Sequence, residues 1–280
     1  MGSPDERWLP ATAYLNWRDH PVRSPNQFQN TSGGGALKTP IFSILAALAS
    51  NVLISCGSDN SSSPTPGAEA IPYTKSDHGI PWTAIAGGYG VIQDSRDGQL
   101  YRTVKIGNQT WMAENLSYKH PGSDSGSCQA SSSDTCAKYG RLYTWTTAMD
   151  GANSSASVPS GVRGLCPSGL HVPSIGEWDS LVAFVERDAG VGSGNGGKAL
   201  KASLGWTPVG SDLFGFRGLP SGYLYTTGNI EYLGVGGGWW SATKSDSLNA
   251  YRRDLGSTYA NVYRGTYEKK AGFSVRCVQD

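Results

Sequence analysis

The sequence predicts an α+β domain of short strands, long loops and one main amphipathic helix, preceded by a disordered tether. Three observations lead to this prediction. Residues 174–188 combine a helix-start signal with an apolar stripe at helical spacing. The stretches on either side are short, rich in aromatic and β-branched residues, and separated by glycine and serine. The chain also has 38 glycines in 280 residues and 16% charged residues, which favours a loop-rich protein.

The charge balance argues against nucleic-acid binding. The chain has 23 Lys and Arg against 22 Asp and Glu, a net charge of +1. Nucleic-acid binding needs clustered cations that neutralise phosphates. High contents of Gly, Ser, Tyr and Trp are typical of an extracellular β-rich protein rather than a cytosolic enzyme. We find no internal repeat and therefore expect a single domain, over residues 89–280.

The part of the chain before this domain divides into three segments. Residues 1–36 are polar and without periodicity, and we interpret them as a non-native extension or a mis-assigned gene start. Residues 37–55 contain Lys38 and an apolar run that has the length of a signal-peptide core and is too short to span a membrane. We therefore predict a signal peptide over these residues. Residues 56–88 are rich in Ser and Pro, which predicts a flexible tether.

Cys56 ends the sequence Leu53-Ile54-Ser55-Cys56. This arrangement resembles the lipobox of bacterial lipoproteins, in which the cysteine becomes the lipidated first residue of the mature protein. We therefore predict an exported protein held at the outer membrane or cell surface by a lipid on Cys56. The alternative is a buried apolar helix with an incidental cysteine.

The predicted domain opens with a β-hairpin. Two strands, Leu100–Ile106 and Thr110–Met112, flank Gly107-Asn108, which suits a tight type II′-like turn. A Ser/Gly-rich loop follows at 121–133, and Tyr143–Met149 is predicted to be a short helix.

The main helix is predicted to begin at Ser174. Ser174 and Glu177 form an S-x-x-E capping box, and Gly190 is expected to end the helix. Its apolar stripe consists of Trp178, Leu181, Val182 and Val185.

The rest of the chain reads as a short helix and several strands. The helix is predicted over Lys198–Leu204, ending at Gly205. The predicted strands are Gly222–Tyr225, Trp239–Thr243, Ala250–Leu255, Tyr259–Arg264 and Phe273–Val278.

Setting Cys56 aside leaves four cysteines, an even number that indicates disulfides in an oxidising compartment. Of the three possible pairings we favour Cys128–Cys136 with Cys166–Cys277, because the first pair closes a local loop. A zinc site is the alternative, but the sequence has neither a C-x-x-C pair nor His-x₃₋₅-His. We predict no metal and no cofactor.

Five motifs carry a family resemblance. Residues 166–178 read Cys-Pro-Ser-Gly-Leu-His-Val-Pro-Ser-Ile-Gly-Glu-Trp, and residues 109–116 read Gln-Thr-Trp-Met-Ala-Glu-Asn-Leu. The others are Gly-Arg-Leu-Tyr-Thr-Trp at 140–145, Trp-Trp-Ser-Ala-Thr at 239–243 and Gly-Phe-Ser-Val-Arg-Cys-Val at 272–278. Together they resemble the Fibrobacter succinogenes major paralogous domain family of bacterial surface proteins. The resemblance implies a C-type-lectin-like fold, distantly similar to formylglycine-generating enzymes.

The activities of these similar folds are not expected here. Formylglycine-generating enzymes need reactive cysteines in a C-terminal segment, and the matching residues 259–272 contain none. Calcium-dependent lectins use a Trp-Asn-Asp motif, where this chain has Trp240-Ser241-Ala242. We interpret His171 and Glu177 as structural. The chain is thus predicted not to be an enzyme.

Aromatic residues and arginines are concentrated in the last third of the chain. Rings with polar tips stack on sugars and anchor protein interfaces. We predict a binding or adhesion module with glycans as the expected ligand class, its exposed edge near Gly234–Gly238. The alternatives are a structural envelope component that binds other surface proteins, or an unrecognised enzyme. The predicted ligand-binding residues are Arg217, Tyr223, Tyr225, Tyr232, Trp239, Tyr251 and Arg252.

The lipid anchor can be tested directly. Cys56→Ala removes the thiol that would carry the lipid, so we expect the variant to lose palmitate labelling and to leave the membrane fraction. Cys128→Ala, a cysteine outside the lipobox, serves as the control and should still be labelled. Equal labelling of Cys56→Ala and the wild type would contradict the lipobox interpretation.

Overall fold

A computed structural model of the chain describes residues 72–279. They form an α+β structure dominated by strands, as predicted. The extension 1–36, the signal segment 37–55 and the first tether residues, Cys56 included, lie outside the described residues. The helices are α1 (Ser133–Tyr139), α2 (Trp145–Met149), α3 (Ile175–Asp188) and α4 (Gly197–Leu200). The strands are β1 (Gly90–Gln93), β2 (Leu100–Ile106), β3 (Gln109–Met112), β4 (Tyr143–Thr144), β5 (Leu170–His171), β6 (Ser221–Leu224), β7 (Ile230–Leu233), β8 (Gly236–Lys244), β9 (Asn249–Gly256), β10 (Tyr263–Glu268), β11 (Gly272–Phe273) and β12 (Val278–Gln279).

The strands form two sheets. One has five strands in the order β1-β2-β3-β12-β5, and its strands pair antiparallel. The other has seven strands in the order β10-β9-β8-β6-β11-β4, with β7 paired to β6. In this second sheet β6 and β8 run parallel. Among residues 72–279, no helix is both long enough and apolar enough to span a membrane.

Helix α3 begins as the sequence predicts. The Ser174 side chain accepts a hydrogen bond from the Glu177 backbone, and the Glu177 carboxylate accepts one from the Ser174 backbone. The capping box therefore satisfies two backbone donors that the first helical turn leaves open. Trp178, Leu181 and Val185 on the predicted stripe are buried.

Two adjacent tryptophans on β8 serve two hydrophobic cores. Side chains alternate between the faces of a strand, so neighbours point to opposite sides. Trp239 packs in the core with Trp111, Trp178 and Phe216. Trp240 packs in the other core, where its ring centroid lies 4.7 Å from that of Phe273.

Asn115 forms a hydrogen-bonded hub inside the domain. Its Oδ1 accepts bonds from Trp239 Nε1 at 2.7 Å and from Arg276 Nη2 at 2.6 Å. Its Nδ2 donates to the Tyr139 carbonyl at 2.8 Å and to Ser274 Oγ at 3.2 Å. The Asn115 carboxamide therefore connects three of the sequence motifs, those at 109–116, 239–243 and 272–278.

The predicted tether ends earlier than expected. Residues 72–89, here called the strap, lie on the domain, and Ile80 is 3% exposed within a core. The Arg102 guanidinium lies 4.3 Å from the Tyr73 ring centroid and 4.4 Å from that of Trp82. Arg217 Nη2 donates to the Asp77 and Ile80 carbonyls, both at 2.8 Å. The aromatic and apolar side chains of the strap explain this docking, because a free tether would expose them to water.

Several element predictions need correction. Helix α1 begins where the predicted loop 121–133 ends and was not predicted, and neither was the strand β7. The helix predicted at 198–204 is limited to α4, because Lys201 leaves the helical region and bridges to Gly218. The strand predicted at 259–264 begins at Tyr263 instead. The predicted strand 273–278 is divided into β11 and β12, which belong to different sheets.

Both predicted disulfides are present. Cys128 pairs with Cys136, with a Cα–Cα distance of 5.0 Å, and Cys166 pairs with Cys277 at 5.9 Å. The second bridge joins the residues before β5 to the end of the chain across 111 positions. It therefore closes most of the second half of the domain.

The two bridges should differ in their contribution to stability. The entropy that a disulfide removes from the unfolded chain grows with loop length. We expect the Cys166→Ser/Cys277→Ser variant to lose about 4–5 kcal/mol of unfolding free energy. The Cys128→Ser/Cys136→Ser variant should lose about 2.5 kcal/mol. Urea unfolding measures both, and equal losses would contradict the loop-length explanation.

A buried carboxylate secures the strap. Asp212 is fully buried, and its Oδ1 accepts from the Arg217 backbone N–H at 2.6 Å. Its Oδ2 accepts from Thr83 Oγ1 on the strap at 2.9 Å. Burial raises the pKa of Asp212 to about 6, although these hydrogen bonds and the nearby Arg276 and Arg217 charges act in the opposite direction.

This raised pKa predicts a pH dependence of stability. Unfolded Asp has a pKa of about 3.9, so the folded state binds a proton more readily than the unfolded state. The contribution of Asp212 is therefore present below about pH 4 and is lost as the pH rises through 6, by up to about 3 kcal/mol. Asp212→Asn should remove this slope in the unfolding free energy between pH 4 and pH 7. The exposed Asp188→Asn should keep it, and an unchanged slope in Asp212→Asn would refute the assignment.

Candidate functional site

Four half-buried tyrosines form a continuous group on one face of the seven-stranded sheet. We call Tyr223, Tyr225, Tyr232 and Tyr267 the tyrosine surface. The Tyr225 ring centroid lies 6.2 Å from that of Tyr232 and 6.0 Å from that of Tyr267. The Tyr223 centroid lies 5.7 Å from that of Tyr232. These spacings are those of contacting aromatic rings.

Arg252 lies within this group. Its guanidinium carbon is 5.8 Å from the Tyr223 ring centroid, 5.3 Å from that of Tyr267 and 4.9 Å from that of Phe273. Arg252 also forms an ion pair with Asp254 two positions along β9. Its buried Nε has no hydrogen-bond partner in residues 72–279. The site thus contains a cation that is balanced in charge but incompletely hydrogen-bonded.

The register of the sheet places Arg252 beside the Tyr223 and Tyr267 rings, where its side chain is 9% exposed. Arg252 is paired with Trp240 on β8 and with Gly265 on β10. Directly paired residues share a face, and Gly265 leaves room there for the Tyr263 ring, which would lie 2.6 Å from a Cβ at this position. Two positions further along β10, Tyr267 is paired with Ala250 and reaches the same face.

The glycines at the start of β8 let the tyrosines approach the sheet. A Cβ at Gly236 would lie 2.8 Å from the Tyr223 hydroxyl and 3.2 Å from Tyr232 Cβ. A Cβ at Gly238 would lie 2.9 Å from the Tyr223 ring and 2.7 Å from Phe273. The exposed edge predicted at Gly234–Gly238 is therefore wrong for Gly236–Gly238, which are buried beneath the rings.

The hydroxyls of Tyr223, Tyr225 and Tyr267 stay protonated at neutral pH. Burial raises the pKa of Tyr223 and that of Tyr225, and also the pKa of Tyr267. Each ring therefore keeps a neutral O–H that can donate and accept hydrogen bonds. The surface can offer rings and hydroxyls to a ligand over the physiological pH range.

Three of the predicted ligand-binding residues lie elsewhere. Trp239 is 1% exposed in a core, bonded to Asn115, so it cannot contact a ligand. Arg217 is buried beneath the strap, 4.3 Å from the Trp82 ring centroid. Tyr251 packs against the core on the other face of β9, because adjacent residues of a strand point in opposite directions. Tyr223, Tyr225, Tyr232 and Arg252 are brought together.

Tyr267 is the member of this group that the sequence reasoning missed. It lies beyond the end of the strand predicted at 259–264. The alternation of Tyr263, Gly265 and Tyr267 carries the signal that could have identified it, since residues two apart share a face of a strand.

His171 and Glu177 occupy structural positions. His171 Nε2 lies 2.6 Å from Glu177 Oε1, and both side chains are buried. Burial alone would raise the pKa of Glu177, but the bond to His171 and the backbone N–H groups of Ser174 and Ser160 hold it below its usual value. Glu177 Oε2 thus caps α3, and Glu177 Oε1 bonds to His171 on β5.

The described part of the chain contains no residues suited to thiol or metal chemistry. Between residues 72 and 279 every cysteine is in a disulfide. The same residues contain no cluster of three or more His, Cys, Asp or Glu that could hold a metal ion.

Comparison with known proteins gives one match. Residues 104–279 match the family model described as the Fibrobacter succinogenes major domain. No curated protein and no solved structure matches the chain. The matched region includes α3, both disulfides, the Asn115 hub and the tyrosine surface. Because the match covers more than half of the chain, this protein belongs to the Fibrobacter succinogenes major domain family.

Proposed function

We propose that this protein is a non-catalytic binding or adhesion module that recognises glycans through the tyrosine surface. The observation that carries the proposal is the grouping of four half-exposed tyrosines around Arg252 on one sheet face. Sugars present apolar C–H faces that stack on aromatic rings and hydroxyls that bond to polar tips. The surface supplies both.

The backbone at Tyr232 supports a functional role for this region. Tyr232 has φ = +60°, in the left-handed region that a bulky side chain rarely adopts. Such a conformation costs about 1–3 kcal/mol and is concentrated at functional sites in known proteins. Tyr232 and Tyr225 belong to neither core, so stability of the fold does not account for the strain.

We also propose that the two sheets and long loops form a C-type-lectin-like arrangement. Strands near both ends of the described chain lie in one sheet, where β12 pairs with β3 and β5. The long loops and the second sheet carry the tyrosine surface, which is the region that the lectin-like interpretation assigns to ligand contacts.

Attachment to a membrane is the third part of the proposal. A lipid on Cys56 would place the domain at the outer membrane or cell surface, with residues 57–71 between the lipid and the strap. The two disulfides favour an exported protein, because such bonds persist in oxidising compartments. A surface location is also where a glycan-binding module meets its ligands.

Two other functions make different predictions. An envelope component would use the tyrosine surface to contact a protein, and would copurify with it. An enzyme would require turnover by groups other than free thiols, since residues 72–279 contain none. Ligand class therefore separates the three functions.

A glycan array with the full chain in mild detergent tests the proposal. We expect binding to at least one glycan, and Tyr225→Ala and Tyr232→Ala should each weaken it about 5- to 30-fold, or about 1–2 kcal/mol. Both variants should keep a near-normal melting temperature, because neither ring belongs to a core. Tyr225→Phe keeps the ring and should bind nearly as the wild type does.

Tyr251→Ala is the matched control, because this half-buried tyrosine lies on the other face of the same sheet. It should leave glycan binding unchanged. Folded Tyr225→Ala and Tyr232→Ala variants that bind as tightly as the wild type would refute the assignment. Absence of glycan binding together with capture of an envelope protein through these tyrosines would favour the structural role.

A further inference from the structure

A cavity lies between the strap and α1, apart from the tyrosine surface. This cavity, here called the strap groove, has a volume of about 350 Å³. Ligand sites for small molecules begin at about this size. It shares no residue with the tyrosine surface. Its lining includes the polar and charged residues Lys75, Asp97, Gln99, Tyr118, Lys119 and Arg141, together with two serines.

The charged lining of the strap groove favours an anion. Three of these side chains are cations, and Asp97 is the carboxylate. Both Asp97 oxygens are already occupied, by the Gln99 backbone N–H at 3.0 Å and the Gln99 side-chain amide at 2.7 Å. Lys75 is paired with Glu114 at 2.9 Å. Lys119 and Arg141 form no ion pair in residues 72–279, so the groove keeps a net positive charge even when Asp97 is counted.

Arg141 is held in place without a carboxylate. Its Nε donates to the Ser117 carbonyl at 3.2 Å, and its Nη1 donates to the Gly126 carbonyl at 2.8 Å. Within residues 72–279 it forms no ion pair, and its Nη2 makes no hydrogen bond. A guanidinium fixed by two carbonyls loses little further freedom when it binds an oxyanion.

An aromatic ring lines the same cavity. The Arg96 guanidinium carbon lies 3.8 Å from the Tyr118 ring centroid, and Arg96 is in turn paired with Asp94 at 2.6 Å. Tyr118 is thereby held on the groove wall as a half-buried ring with a polar tip. Gln99 Nε2 already donates to Asp97, so Gln99 offers its side-chain oxygen as an acceptor, and the Tyr118 hydroxyl can donate or accept.

We propose that the strap groove binds an acidic monosaccharide, a sugar-sized polyol that carries one carboxylate or sulfate group. Arg141 and Lys119 bind the oxyanion, Tyr118 contacts the apolar face of the sugar, and Gln99 bonds to its hydroxyls. The size of the groove exceeds that of an inorganic anion, and its net positive lining disfavours a cationic ligand. This site is independent of the tyrosine surface.

Calorimetric titration of the full chain in mild detergent tests this site. The probes are glucuronate, glucose, glucose 6-sulfate and acetate. We expect glucuronate or glucose 6-sulfate to bind at least tenfold more tightly than glucose and acetate, and the tighter of the two identifies the oxyanion. Arg141→Gln should weaken this binding about tenfold or more, since a hydrogen bond to a charged group contributes about 1.5–3 kcal/mol.

Lys119→Gln provides a second variant that does not risk the fold, because Lys119 is exposed. It should weaken acidic-sugar binding and leave the other properties of the protein unchanged. Lys105→Gln, an exposed lysine on β2 outside the groove, should bind as the wild type does. Tyr225→Ala should also leave this binding intact, which separates it from the tyrosine surface.

Two outcomes would overturn the proposal. Equal affinity for glucuronate and glucose would show that the cations of the groove do not select an oxyanion. Binding of the acidic sugar that persists unchanged in both Lys119→Gln and folded Arg141→Gln would place it elsewhere on the chain.

Discussion

The buried charge of Arg276 is the constraint on which the centre of the domain depends. Its side chain is fully buried, and burial lowers its pKa to about 9, so it remains charged at neutral pH. Within residues 72–279 it has no carboxylate in contact, and an uncompensated buried charge costs several kcal/mol. Asn115 Oδ1, the Phe216 carbonyl and the Phe216 ring face satisfy it instead. Because Asn115 also binds Trp239, motifs more than a hundred residues apart in sequence meet at one carboxamide.

The same strands build both the core and the exposed tyrosines because side chains alternate along a strand. On β9, Tyr251 packs on the α3 side, whereas Ala250 packs in the core that includes Phe273. Arg252 follows the direction of Ala250 and reaches the tyrosine surface. The glycines at the start of β8 allow rings to lie directly on the backbone there. The glycines 236–238 resemble a loop in sequence, but they form part of a buried strand on which the rings pack.

Local signals explain which elements could be predicted from the sequence. The α3 capping box and the hairpin at Gly107 depend on residues within four positions, and both are present in the structure. The cysteine pairing followed from spacing. Strand β7 and helix α1 carry weak periodicity and are stabilised by contacts outside themselves: β7 pairs with β6, and the Tyr139 carbonyl of α1 accepts a bond from Asn115. Whether an aromatic residue is buried or exposed depends on register, so Trp239 and Tyr225 could not be distinguished before the sheet was known.

Arg252 restricts the chemistry of the ligand proposed for the tyrosine surface. Aromatic rings grouped without a cation attract quaternary ammonium groups through their negative faces. Here Arg252 already occupies the space beside the Tyr223, Tyr267 and Phe273 rings, and Asp254 balances its charge. A second cation therefore cannot lie against these three rings where the Arg252 guanidinium already contacts them. A neutral ligand with apolar faces and hydroxyls needs no such contact and can stack on the Tyr225 and Tyr232 rings. For this reason we propose neutral sugars as the ligands of the tyrosine surface, in contrast to the acidic sugars proposed for the strap groove.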